Sequence, residues 1–212
     1  MALSIEEIVL ASTNRGKLAE LEAMLAGRSG RLARLRVLSL ADFEPVEPAV
    51  EDGATLEENA RRKALHYARL LGRVVLADDS GLEVDALNGA PGVYSARFAE
   101  VDARDRRRQD EANNRKLLDL LEGTQAEQRT ARFHCCLCLA RTGEVLLEAQ
   151  GRLEGRIATT PRGSGGFGYD PVFFAPEAGK MVAELAAPEK NALSHRGRAL
   201  RELSERLEQL VG

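Results

Sequence analysis

Residues Glu7 to Ser12, EIVLAS, form a short apolar strand that runs without a break into TNRGK and then into a helical pattern. Leu18, Leu21 and Leu25 fall at i, i+3 and i+7 of that helix. A strand this short and apolar has no wet face, so it needs cover. RLRVLSL reads as a second strand, and VVLA, Val74 to Ala77, as a further buried one. Between them Thr55-x-x-Glu58 is a capping box opening the helix LEENARRKALHYARLLG, which Gly72 ends. Later, ARFHCCLCLA, a turn at RTGE and VLLEAQGRLEG make a long β-hairpin with Gly143 in the turn. From Ser194 a last helix sets Leu200, Leu203, Leu207 and Leu210 on one stripe, for the core or for a partner helix. Early strand–helix–strand and a later hairpin predict an α/β (α+β) fold with a sheet of mixed direction. There is no internal repeat, linker or low-complexity tract, so residues 1–212 are expected to form a single domain.

Composition narrows the functions open to such a fold. The net charge is −3 although 30% of residues are charged, which argues against nucleic acid as partner. Tryptophan is absent and aromatics are 4%, too few for base-stacking platforms. The opening MALSIEEIVLAS has Glu6 and Glu7 in place of a basic leader. No window reaches the roughly 18 apolar residues of a membrane span. The three cysteines, Cys135, Cys136 and Cys138, crowd into HCCLC and make no disulfide framework. A cytoplasmic protein is expected.

Four polar clusters sit at the edges of these elements. The first is Ser12-Thr13-Asn14-Arg15-Gly16-Lys17, between strand and helix. Helix N–H groups, Arg15 and Lys17 suit a phosphate there, although the Walker spacing is missing. The same residues also serve as ordinary caps. The second holds Glu51 and Asp52 in a proline-rich acidic loop, with Asn59 and Lys63 on one face of the next helix.

The third is VVLADDSGLEV, where a buried strand is expected to end in Asp78 and Asp79. Adjacent carboxylates repel, and oxygen ligands suit Mg2+ as the remedy. Successive strand residues point to opposite sides, so both cannot face one ion. Asp79 is expected to face the site and Asp78 to hold the turn. The fourth is GSGGFGYD with EKNALSHRG: Phe167 can lie against a ring, Asp170 can accept from ring N–H groups, and Lys190, His195 and Arg196 are donors. The four sets complement one another as sites for a nucleotide, its phosphates and its magnesium.

LASTNRGKLAELEAML, EDGATLEENARRKA, LADDSGLEVDALNGAPGVYSARFA, GSGGFGYDPVFF and EKNALSHRGRAL resemble, in order, the inosine triphosphatase family of noncanonical purine nucleoside triphosphate pyrophosphatases. The resemblance spans residues 8 to 207. It implies an elongated mixed α/β fold, two lobes around a central sheet with the site in the cleft, and a homodimer. It implies Mg2+-dependent hydrolysis of ITP, dITP and XTP (and dXTP) to the monophosphate and pyrophosphate, cleansing the nucleotide pool. Ser12, Thr13, Asn14, Arg15, Gly16 and Lys17 match the triphosphate turn, and Lys63 a further phosphate ligand. Lys17 and Lys63 would neutralise the leaving pyrophosphate. Asp79 matches the proton acceptor and a metal ligand, with Ser80 beside it on the substrate. Phe167, Gly168, Tyr169, Asp170, Lys190, His195 and Arg196 match the base-binding residues. Many members have two glutamates before the glycine where this chain has Val50-Glu51-Asp52-Gly53, and Glu51 is taken as the second metal ligand. The Ser194-His195-Arg196 ending separates this family from the septum-type nucleotide pyrophosphatases.

Overall fold

The computed structural model describes residues 5–26, 30, 32–101 and 105–211. Seven strands form one sheet in the order β2-β1-β3-β4-β5-β6-β7. They are β1 (Glu7–Leu10), β2 (Arg36–Ser39), β3 (Val75–Val84), β4 (Thr130–Arg141), β5 (Glu144–Ile157), β6 (Phe173–Ala175) and β7 (Lys180–Met181). β1 runs parallel to β2 and to β3, whereas β6 is antiparallel to β5 and to β7. The sheet is therefore mixed, as the alternation of helix and hairpin predicts. The helices are α1 (Arg15–Ala26), α2 (Leu56–Leu71), α3 (Arg106–Leu120), α4 (Ala187–Leu193) and α5 (His195–Val211).

The chain divides into two compact units: Met1–Asp79 with Cys135–Gly151 and Arg196–Gly212, and Ser80–His134 with Arg152–His195. Each has its own core. In the first, Ile8 and Leu10 of β1, Leu76 of β3 and Leu139 of β4 pack with Leu21 and Leu25 of α1 and with Leu200, Leu203 and Leu207 of α5. The leucine stripe of α5 is thus a core face. In the second, Leu82, Phe133, Leu153 and Phe173 from the strands pack with Leu117 of α3, Leu121 just after it, and Tyr169. Each such buried side chain contributes about 1.5–3 kcal/mol. The three cysteines are buried in β4, whose residues Phe133 to Ala140 are buried on both faces rather than alternating.

Two local expectations change. The strand expected to end at Ala77 instead continues through both aspartates to Val84. Within it Asp78 meets Lys17 and Arg196, and the next residue, Asp79, is half-buried with Asn59 and the Lys63 charge nearby. The capping box is half as drawn: Thr55 accepts from Glu58 N–H at 3.2 Å, but the Glu58 carboxylate reaches Ala54 N–H at 2.9 Å. Gly72, at φ +61°, closes α2 in the left-handed conformation that favours glycine.

Candidate active site

The charged residues of the first unit assemble around β3. Asp78 is 3% exposed, a costly place for a carboxylate without countercharge. Lys17, in the first turn of α1, brings its Nζ to 2.8 and 2.7 Å from the two Asp78 oxygens. Arg196 Nη2 lies 3.4 Å from Asp78, while its Nη1 donates to Glu20 at 3.3 Å. Burial alone would raise the Asp78 pKa, but the Lys17 and Arg196 charges hold it well below the usual carboxylate range. The turn ahead of Lys17 is pinned by its own side chains. Ser12 Oγ accepts from Asn14 N–H at 3.1 Å, and Asn14 Oδ1 accepts from Gly16 and Lys17 N–H at 2.8 and 3.3 Å. Asn14 is therefore the helix cap, and Thr13 to Gly16 lie exposed beside it.

The next residue, on the other side of the strand, has a different environment. Burial pushes the Asp79 carboxyl up to about 6, and the nearby Glu51 and Asp78 charges push the same way. A hydrogen bond from Asn59 and the Lys63 charge oppose them. Asn59 Oδ1 also accepts from Gly53 N–H at 2.8 Å, tying the acidic loop to α2. Gly53 has no room for a side chain: a Cβ would lie 2.7 Å from Asn59 Oδ1. One turn along α2, Lys63 Nζ is 2.7 Å from Glu51. Burial would lower its pKa, yet Glu51 leaves it raised. Asp52 turns away to Arg62 on the surface, so Glu51 is the acid that this loop brings to the Asp79 set.

In the second unit the glycine-rich loop closes on itself. Asp170 Oδ2 accepts from Phe167 N–H at 2.9 Å and from Lys190 Nζ at 2.6 Å. Lys190 Nζ also stands 4.5 Å from the centre of the Phe167 ring, which is 47% exposed. Gly165 N–H bonds Ala183 C=O at 3.0 Å, and Ala183 N–H bonds Asp170 C=O at 3.2 Å. Gly166, at φ +75°, lies where any Cβ would collide with the Asp170 carboxylate. Tyr169 is buried and donates to Ser95 C=O at 2.9 Å. His195 stacks on Phe133, centroids 4.9 Å apart.

Residues 8–206 match the Ham1 family. The chain belongs to that family. It is 50% identical to the dITP/XTP pyrophosphatase of Geobacillus kaustophilus (strain HTA426), covering 98% of this chain and 97% of that one. It is also 50% identical to the dITP/XTP pyrophosphatase of Geobacter sulfurreducens (strain ATCC 51573 / DSM 12127 / PCA), over 94% of this chain and 96% of the relative. Among solved structures, the HAM1 protein of Coxiella burnetii is similar with a TM-score of 0.85 at 42% identity, covering 97% of this chain and all (100%) of that one.

Within this Ham1 chain the candidates fall into two sets that the chain itself joins: Asp79 is followed by Ser80, and His195 by Arg196, at the boundaries of the units. Arg196, expected with the base-reading donors, has its guanidinium against Asp78 and Glu20 in the first unit. Glu51 and Asp79 offer hard carboxylate oxygens, and the Glu51 charge helps raise the Asp79 pKa; a divalent cation would relieve that, so the donor set fits Mg2+. The residues that the motifs did not single out lie on α3. Asn113 takes Ala99 N–H at 2.7 Å, while Asp110 and Asn114 reach the glycine loop. Their only signal was an unusually polar helix.

Proposed function

We propose that the chain hydrolyses ITP, dITP and XTP to the monophosphate and pyrophosphate, working with Mg2+ as a cytoplasmic homodimer. Residues 1–212 act as one catalytic unit in this reading. The observation that carries it is Asp79: a half-buried carboxylate with its pKa raised to about 6, beside Glu51, Lys63 and Asn59. The Ham1 relatives at 50% identity, named for dITP and XTP, support the substrate class. Among the described residues no helix is long and apolar enough to cross a membrane.

Glu51 and Asp79 would hold Mg2+, which would supply charge neutralisation for the phosphates. Asp79 accepts the proton of the water that attacks the α-phosphorus. Lys17 and Lys63, each already positioned by an acid, hold the leaving pyrophosphate with the exposed residues of the Ser12–Lys17 turn. Most of the rate then comes from positioning and fixed charge.

Phe167, Gly168, Tyr169, Asp170, Lys190 and His195 take the base, and Ser80 contacts the substrate next to Asp79. Selection against ATP rests on donors meeting the purine 6-oxygen, since an amino group there leaves buried donors unpaired, a mismatch worth up to about 10⁴-fold. The test is pyrophosphate release from ITP, dITP, XTP, GTP, ATP and dTTP with and without Mg2+. The first three should be turned over strongly and the others weakly. Flat turnover across the panel overturns the reading.

A further inference from the structure

Gly168 stands between Phe167 and Tyr169, and one helix takes both of its backbone polar groups. Its N–H donates to Asp110 Oδ2 at 2.8 Å, and its C=O accepts from Asn114 Nδ2 at 2.8 Å. Asp110 and Asn114 are one helical turn apart, so α3 presents an acceptor and a donor on the same face. Among the described residues nothing lies within 4 Å of the place where a Gly168 Cβ would be, so the grip leaves that side of the loop open. Gly168 is glycine for its φ of +62°, not for want of space.

Packing in the core does not explain Asn114. Its Oδ1 is buried with no hydrogen-bond partner among the described residues, and an unmet buried acceptor is destabilising. A leucine would fill the position without that penalty. What asparagine adds is the Nδ2 donor to Gly168. The core of the unit is served instead by Leu117 of the same helix.

We infer that Asp110 and Asn114 are positioning residues for purine recognition: by holding both backbone groups of Gly168 they fix how Phe167 and Asp170 meet the base. The loop is then anchored at Ala183, at Lys190, at α3 and, through Tyr169, at Ser95. Phe167 is left exposed on a backbone with little freedom, so little order must be imposed on binding. The inference rests on residues 167–170 being the purine site.

The experiment compares KM and kcat for dITP and dGTP in Asp110→Ala, Asn114→Ala, Asp110→Asn and Phe167→Ala, together with inhibition by inorganic pyrophosphate. Asp110→Ala and Asn114→Ala should each raise KM for dITP roughly 3- to 10-fold, the scale of one hydrogen bond. Their kcat should stay within about twofold and pyrophosphate inhibition should not move, because the loss is confined to the base; preference for dITP over dGTP should fall. Asp110→Asn keeps an acceptor oxygen and should restore KM to within about twofold. If Phe167→Ala raises KM while the α3 variants leave it unchanged, the positioning role is overturned and the purine site stands. If Phe167→Ala leaves KM unchanged, the purine-site reading falls and takes the positioning role with it. A parallel loss of pyrophosphate inhibition, or no rescue by Asp110→Asn, overturns the inference as well. Should Asp110→Ala fail to fold, Asn114→Ala carries the same comparison.

Discussion

Lys17 and Asp78 are 61 positions apart in the chain, yet the lysine Nζ lies 2.8 and 2.7 Å from the two carboxylate oxygens. The pair joins the first turn of α1 to the middle of β3, and Arg196 closes it from α5. Removing one member of a buried pair leaves the rest uncompensated, which costs about 3–5 kcal/mol. Asp78→Asn should therefore lower the unfolding free energy by that amount in urea melts. A loss below about 1 kcal/mol would show that Arg196 and Lys17 are content without the carboxylate.

The same carboxylate sets part of the acid stability. Its folded pKa is depressed, so its contribution is present above the unfolded carboxylate value of about 4 and is lost as pH falls through the folded one. Wild-type stability should drop below about pH 4 more steeply than that of Asp78→Asn. Parallel acid-denaturation curves would contradict the assignment.

Asp79 moves the other way. Without metal its folded pKa is about 6, so protons compete with Mg2+ there, and hydrolysis at low Mg2+ should rise as pH increases through that region. Asp79→Asn should lose at least ~10²-fold in kcat. In the protein without metal, carboxyl NMR should show Asp79 titrating near 6, and Mg2+ should shift that midpoint down, because a cation favours the charged form. A midpoint indifferent to Mg2+ would remove Asp79 from the metal ligands.

Gly166 tests the loop. Alanine there meets both φ +75° and the Asp170 carboxylate, so about 1–3 kcal/mol of strain enters the turn. Gly166→Ala should raise KM for dITP at least severalfold; an unchanged KM would show that the turn is not shaped for the base.

Arg129 is buried and donates to three carbonyls, Ile157, Leu121 and Ala158, at 2.8, 2.7 and 3.0 Å. Burial lowers its pKa. Arg129→Met should destabilise the protein by about 2–4 kcal/mol, since several carbonyls lose their donors, without altering relative rates on dITP and dGTP. A change in that ratio would give Arg129 a part in the site.

The sequence by itself determined the kind of fold and the candidate residues of the site. Periodicity placed EIVLAS, the helix after Thr55, the hairpin around Gly143 and the leucine stripe of α5, because each is set by local pattern and burial. The strand rule that neighbouring side chains point apart was enough to separate Asp78 from Asp79. Tertiary structure decided what those acids meet. Within β3 the buried Asp78 meets Lys17 and Arg196, which arrive from distant helices, and no local propensity records that. The same holds for Arg196, whose neighbour in sequence is His195 but whose charge answers to Asp78. It holds for Asp110 and Asn114 too, which look like ordinary surface residues of a polar helix until the fold brings Gly168 to them. Local pattern is written in spacing of a few residues, whereas countercharge and backbone grip depend on contacts across more than 50 positions.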